Sequence, residues 1–191
     1  MTRTMRTRPR HKALIILTTA ASIAGSTAAA GPARASTTGA MAACTAAQAA
    51  DYSVAPAVIA GNVGGSVPGG ANPANVLYPG DVFRILYTDY PQVKIGSWPW
   101  DPSYGPNGNG VAAPSNSNWP FPGLSEYSAV LRFNNNPGGW VGAPTQATAY
   151  AACTVWNGPP VRLLFYVNDN NPGDNSGNWW LSFYQYYPET H

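Results

Sequence analysis

Charge is what this 191-residue sequence has least of, with only 9% of its residues Asp, Glu, Lys or Arg. Histidine and cysteine are scarcer still, at two each. No apolar run reaches the roughly 20 residues that a membrane-spanning helix needs. Each shortage excludes a class of function. His11 lies in a basic N-terminal segment, which leaves His191, the last residue, as the base for any Ser-His-Asp or Cys-His arrangement. Zinc hydrolysis would need several His or Cys ligands. Two cysteines are likewise too few for a metal or redox cluster and point instead to a disulfide between Cys44 and Cys153.

The N-terminus sets the expected compartment. Arg3, Arg6, Arg8, Arg10 and Lys12 precede an apolar stretch from Ala13 to about Gly25, and Ala33-Arg34-Ala35 is a small-residue cleavage site. This is the pattern of a secretory signal peptide over 1–35, cut before Ser36. Met41-Ala42-Ala43-Cys44 is similar to a lipoprotein cleavage box, but lies too far beyond the apolar stretch to be a good one. Removing the leader reverses the charge balance. Six of the ten Lys and Arg residues go with it, leaving Arg84, Lys94, Arg132 and Arg162 against all eight carboxylates. A chain with no basic stripe is a poor partner for nucleic acid, and nothing in it is expected to insert into a membrane.

What is abundant is Gly (20), Pro (19), Tyr (11) and Trp (7). About 156 residues of this kind suit one extracellular β-domain with a real core. Residues 36–52 read as an arm, either a short helix or a segment pinned by Cys44, and 53–191 as the domain. Strands are expected over 53–60, 82–88, 128–133, 145–155, 162–167 and 179–187. Phe83, Ile85 and Tyr87 alternate on one face, as do Trp179, Leu181 and Phe183. Short strands between Gly/Pro/Asn turns argue for an all-β sandwich or barrel.

Two long loops, 96–122 and 168–178, are too particular to be plain connectors. The second packs Asp169 and Asp174 among Asn168, Asn170, Asn171 and Asn175, with Pro172 and Gly173 bending the chain. Oxygen donors in one tight loop suit calcium, a hard cation that takes six to eight of them. The same residues are also ordinary turn formers. For catalysis, the spacing singles out no carboxylate pair, although Glu126 with Asp101, Asp169 or Asp174 would be the components of a glycan hydrolase. The sequence therefore points to binding rather than to an enzyme.

Tyr78-Pro79-Gly80-Asp81, Ser103-Tyr104-Gly105-Pro106, Gly123-Leu124, and Asn168-Asp169 leading through Pro172-Gly173 to Asn175-Ser176-Gly177 follow one another in an order that resembles the PA-I type galactophilic lectins. The resemblance covers roughly 53–187. It implies a jelly-roll-like β-sandwich, calcium as cofactor, galactose or another glycan as partner, and a homo-oligomer. It also implies a calcium ligand set of the Tyr104 carbonyl, the side chains of Asp169, Asp174 and Asn175, and a carbonyl near Asn171 or Gly173. Asp174 stands where the family has an Asn. The family's polar galactose-reading residues fall on Trp119-Pro120-Phe121-Pro122, which has none, so the expected sugar is open. Trp100, Asp101 and Trp119, with Trp98, are the expected carbohydrate contacts, by stacking on a sugar ring or by packing in the loop.

Overall fold

The computed structural model describes residues 36–66, 76–115, 118–135 and 138–188. The leader expected over 1–35 and His191 lie outside them. The described residues are all-β apart from one short α-helix and two 3-10 turns. After helix α1 (Thr37–Thr45) come strands β1 (Tyr52–Ala60), β2 (Gly65–Ser66), β3 (Val82–Tyr87), β4 (Val93–Lys94), β5 (Ser103–Tyr104) and β6 (Ala129–Asn134). They are followed by β7 (Trp140–Gln146), β8 (Thr154–Val155), β9 (Arg162–Val167) and β10 (Ser176–Tyr186).

The strands form two antiparallel sheets. In one, β10 is central: β1 pairs along one side, and β4 and then β3 along the other, with β5 beyond β4 and β8 beyond β3. The second sheet has the order β2-β9-β6-β7. Pro56 has no amide hydrogen to give the ladder, and the β1 register slips between Val54 and Ala57.

Alternation decides what the sheets bury. Phe83, Ile85, Trp179, Leu181 and Phe183 from one sheet meet Leu131, Phe133, Leu163 and Phe165 from the other in a single core. Phe83 and Phe133 touch edge-on with centroids 6.2 Å apart. Burying one such side chain stabilises the fold by roughly 1.5–3 kcal/mol. The expected faces of β3 and β10 are thus the observed ones.

The arm is a helix. Ser36 caps it by accepting a hydrogen bond from Gly39 N (3.1 Å). Ala40, Ala43 and Cys44 press onto Val82 and Tyr186, on the side of the β3–β10 sheet away from the main core. A Cys44–Cys153 disulfide, with a Cα–Cα distance of 6.0 Å, closes a 109-residue separation. A sulfur bonded to Cys153 cannot carry a lipid, so the disulfide excludes lipidation at Cys44. Among the described residues no helix is long and apolar enough to cross a membrane.

The long strand expected over 145–155 is not formed. Ala147–Tyr150 is a 3-10 turn that sinks Ala147 into the core and brings Tyr150 against Phe83 and Phe133. The strand lies earlier, at Trp140–Gln146, and includes Gly142 and Pro144. It is an edge strand, where a missing ladder donor is tolerated.

Candidate functional site

The 168–175 loop leaves β9 and enters β10. Its first residue is a buried anchor. Asn168 Oδ1 accepts from Phe121 N (3.1 Å), and its Nδ2 donates to the carbonyls of Phe121, Leu124 and Ser125 at 3.0–3.2 Å. A satisfied buried amide of this kind fixes the 121–125 segment against the start of the loop. Asn168 O also accepts from Tyr127 N at 2.7 Å, with Tyr127 held at φ +59°, a region that non-glycine residues seldom enter.

Asp169 follows, only 3% exposed. Its Oδ1 accepts from Asn171 N (2.9 Å), whereas its Oδ2 is buried with no hydrogen-bond partner among the described residues. Four other buried side-chain atoms among the described residues lack a hydrogen-bond partner, but they are one guanidinium nitrogen and three amide oxygens. Asp169 Oδ2 is the carboxylate oxygen in that set, and an unpaired buried carboxylate costs far more than an unpaired amide. Asp169 as a residue lines a cavity of about 270 Å³, together with Phe121, Tyr166, Val167 and Pro172 and the amides of Asn62 and Asn118.

The remaining expected ligands gather on the same loop and the strands beside it. Pro172–Asp174 makes a 3-10 turn, and Asn171 Nδ2 donates to Asp174 Oδ2 (2.6 Å). Asn175 is buried, donating from Nδ2 to Gly61 O (3.1 Å) and accepting on Oδ1 from Gly96 N (3.3 Å). Tyr104 lies on β5, two strands across from the start of β10, and its carbonyl accepts from Trp179 Nε1 (2.9 Å). Among the described residues no three His, Cys, Asp or Glu side chains form a metal-holding group. The expected calcium set has only two such residues, its other donors being amides and carbonyls. That donor set is all oxygen, and the bare Oδ2 of Asp169 gives it one carboxylate oxygen that no protein donor occupies, which fits a hard cation.

The sequence passed over Tyr127. Its ring stacks on Tyr104 (5.3 Å, 1° between planes) and meets Trp119 edge-on at 5.2 Å. Burial pushes its hydroxyl above the usual phenol range, and the negative charges of Asp169 and Glu126 add to the shift, followed by Tyr104 and Asp174. Tyr127 thus joins the 168–175 loop to the segment carrying Glu126. Nothing in its local sequence marks it, because its position is set by the carbonyl of Asn168.

The expected carbohydrate contacts divide. Trp119 is buried, 9% exposed, and packs against Tyr127. Asp101 closes its own turn, with Oδ2 accepting from Trp98 N at 2.7 Å. Trp98 and Trp100 are open to solvent. Glu126 Oε2 accepts from Asn109 Nδ2 (2.9 Å). No protein-family model, curated protein or solved structure matches this chain.

Proposed function

We propose that the protein is a secreted, calcium-dependent carbohydrate-binding protein, exported through the leader over 1–35 and built on a jelly-roll-like version of the observed two-sheet fold. The observation that carries the reading is the buried, unpartnered Oδ2 of Asp169, a residue that lines a cavity with apolar and aromatic walls. Burying an unpaired charge costs several kcal/mol, so its retention is best accounted for by a cationic partner. Asp169, Asp174 and Asn175 would hold the ion through side chains, and Tyr104 and Asn171 would complete the set.

A bound calcium would supply open coordination positions for vicinal sugar hydroxyls. The chain's own residues do the rest. Phe121 and Tyr166 give the cavity apolar walls suited to the C–H face of a sugar, and Asn62 and Asn118 offer hydrogen bonds at its edge. With no polar side chain in 119–122, the family's galactose contacts are not reproduced, and the cavity would select another sugar. A second reading, a calcium that only stiffens the loop, is favoured by the double anchoring of Asn175 to Gly61 and Gly96.

Calorimetric titration of the protein with calcium tests the proposal. One saturable site is expected, lost in the Asp169→Ala, Asp174→Ala double variant. Glycan capture that a chelator abolishes separates the first reading from the second. A protein that takes up no calcium sinks both.

A further inference from the structure

The hairpin joining β4 to β5 carries two large side chains with no role in the cavity or in the ligand set. Trp98 and Trp100 are 61% and 76% exposed. Their rings nevertheless stack on each other, with centroids 5.2 Å apart and planes 15° apart. Large apolar side chains grouped in solvent form a surface that a ligand could cover.

The tip that presents them is built to hold its shape. Asp101 Oδ2 accepts from Trp98 N (2.7 Å), and Asp101 N donates to Trp98 O (3.0 Å). Lys94 Nζ donates to the carbonyls of Gly96 and Trp98, and Ile95 N donates to Pro102 O (2.9 Å). Gly96, at φ +84°, leaves room for the Asp101 carboxylate, which a Cβ there would meet at 2.5 Å. A ligand would meet a platform already ordered, with little entropy left to lose.

Register places the base of that hairpin beside the 168–175 loop. Val93 pairs with Gly177 and Lys94 with Ser176, so the chain beyond Lys94 runs along the residues that precede Ser176. The Gly96 N to Asn175 Oδ1 hydrogen bond confirms the adjacency. The face is aromatic and almost uncharged: Lys94 is the one cation in 93–104 and donates to main-chain carbonyls, and Asp101 is the one anion and is held in its own turn. Such a surface gives no hold to the anionic headgroups of a membrane. It does suit the C–H face of a pyranose ring, whose hydroxyls stay in water at the rim while the ring lies flat on indole.

We propose that Trp98 and Trp100 form an outer subsite that stacks a second sugar ring of a glycan whose first residue is held at the 168–175 loop. The ligand is then an oligosaccharide or a polysaccharide end. The inference rests on the carbohydrate reading above, and its test separates the two.

Arrays carrying mono- to tetrasaccharides of matched series would be read in calcium with the wild-type protein and with Trp98→Ala, Trp100→Ala. Calcium uptake of both would be followed by calorimetry. Wild-type affinity is expected to rise roughly tenfold from the mono- to the di- or trisaccharide. The double variant should show a flat series with monosaccharide affinity and calcium uptake unchanged. Monosaccharide binding with no gain on lengthening, or a gain that survives in the variant, overturns the outer subsite and leaves the proposed function standing. A length-dependent gain that persists in a chelator and is lost in the variant supports the platform and overturns the calcium reading. Calcium uptake with no glycan captured overturns both. If the double variant loses calcium uptake, the single Trp100→Ala change decides, since it leaves the residue whose main chain closes the turn with Asp101 and Lys94 unaltered.

Discussion

Two buried carboxylates flank opposite ends of β10, and they are treated in opposite ways. Asp81 lies beside the C-terminal end of the strand, fully buried, and its Oδ2 accepts from Tyr78 N (2.8 Å) and Gln185 Nε2 (2.7 Å). Asp169 lies by the N-terminal end, just as inaccessible, with one oxygen in a local turn and the other bare. Around Asp81 the chain is closed, with helix α1 packed on Val82 beside it and the disulfide nearby. Around Asp169 it opens into a cavity. A carboxylate whose bonds are all internal serves the fold. One left half-satisfied beside a cavity costs stability and makes sense where something outside the chain completes it.

The comparison breaks most visibly at the closed end. Replacing Cys44 and Cys153 with Ser should cost about 4–5 kcal/mol in the chain-entropy model for a 109-residue separation. Denaturant unfolding of the double variant would measure it. An equal loss of calcium uptake well below the unfolding transition would show that the two ends are not independent. Asp81→Ala should cost about 2–4 kcal/mol, because two buried donors lose their acceptor. Thermal unfolding should show a midpoint lowered by roughly 4–16 °C, with calcium uptake of the folded protein intact.

The closed end also carries a pH signature. Burial first, then the charges of Asp81 and Asp51, push the Tyr187 hydroxyl up to about 12, above the ordinary phenol value of about 10. Folding therefore favours the protonated phenol. Its contribution is fully present below pH 10 and is lost as the pH rises from about 10 through about 12, where the unfolded chain ionises first. Urea midpoints taken at pH 9, 10.5 and 11.5 should fall along the series. Tyr187→Phe should flatten the fall, and an unchanged slope would mean that another group controls it.

Much of this contrast was legible in the residues and part of it was not. The strand faces follow from alternation in 82–88 and 179–187, and the disulfide from two cysteines in a chain whose N-terminus reads as an export signal. The 168–178 loop stood out because it concentrates carboxylates and amides between two apolar strands. β7 stayed hidden because Gly142 and Pro144 weaken any strand pattern, and only its edge position makes them acceptable. Ala147–Tyr150 turned out to be a 3-10 turn because Ala147 and Tyr150 fill the core there. The difference between Asp81 and Asp169 could not be read at all. It depends on partners 104 positions away for Asp81, and for Asp169 on the cavity that 62–63 and 118–121 wall in. Trp119 and Trp100 look alike in sequence, yet one is packed against Tyr127 and the other stands in solvent.

The smallest expected effect is the sharpest test. Asp169→Asn keeps the shape of the side chain and its Oδ1 acceptor for Asn171 N, and removes the charge whose second oxygen has no partner. In calcium-free buffer its unfolding free energy should lie within about 1 kcal/mol of wild type, because what is lost in charge-assisted bonding is offset by relief of a buried anion. The same change at Asp81 removes an acceptor already bound by two donors and should cost clearly more. Calcium then separates the variants. At one hundred times its dissociation constant, a ligand bound only by the folded state adds about 2.7 kcal/mol. Wild type and Asp81→Asn should gain this, and Asp169→Asn should not. If Asp169→Asn is as damaging without calcium as Asp81→Asn, then Asp169 is a structural carboxylate like its counterpart, and the open end of β10 loses its claim to a ligand.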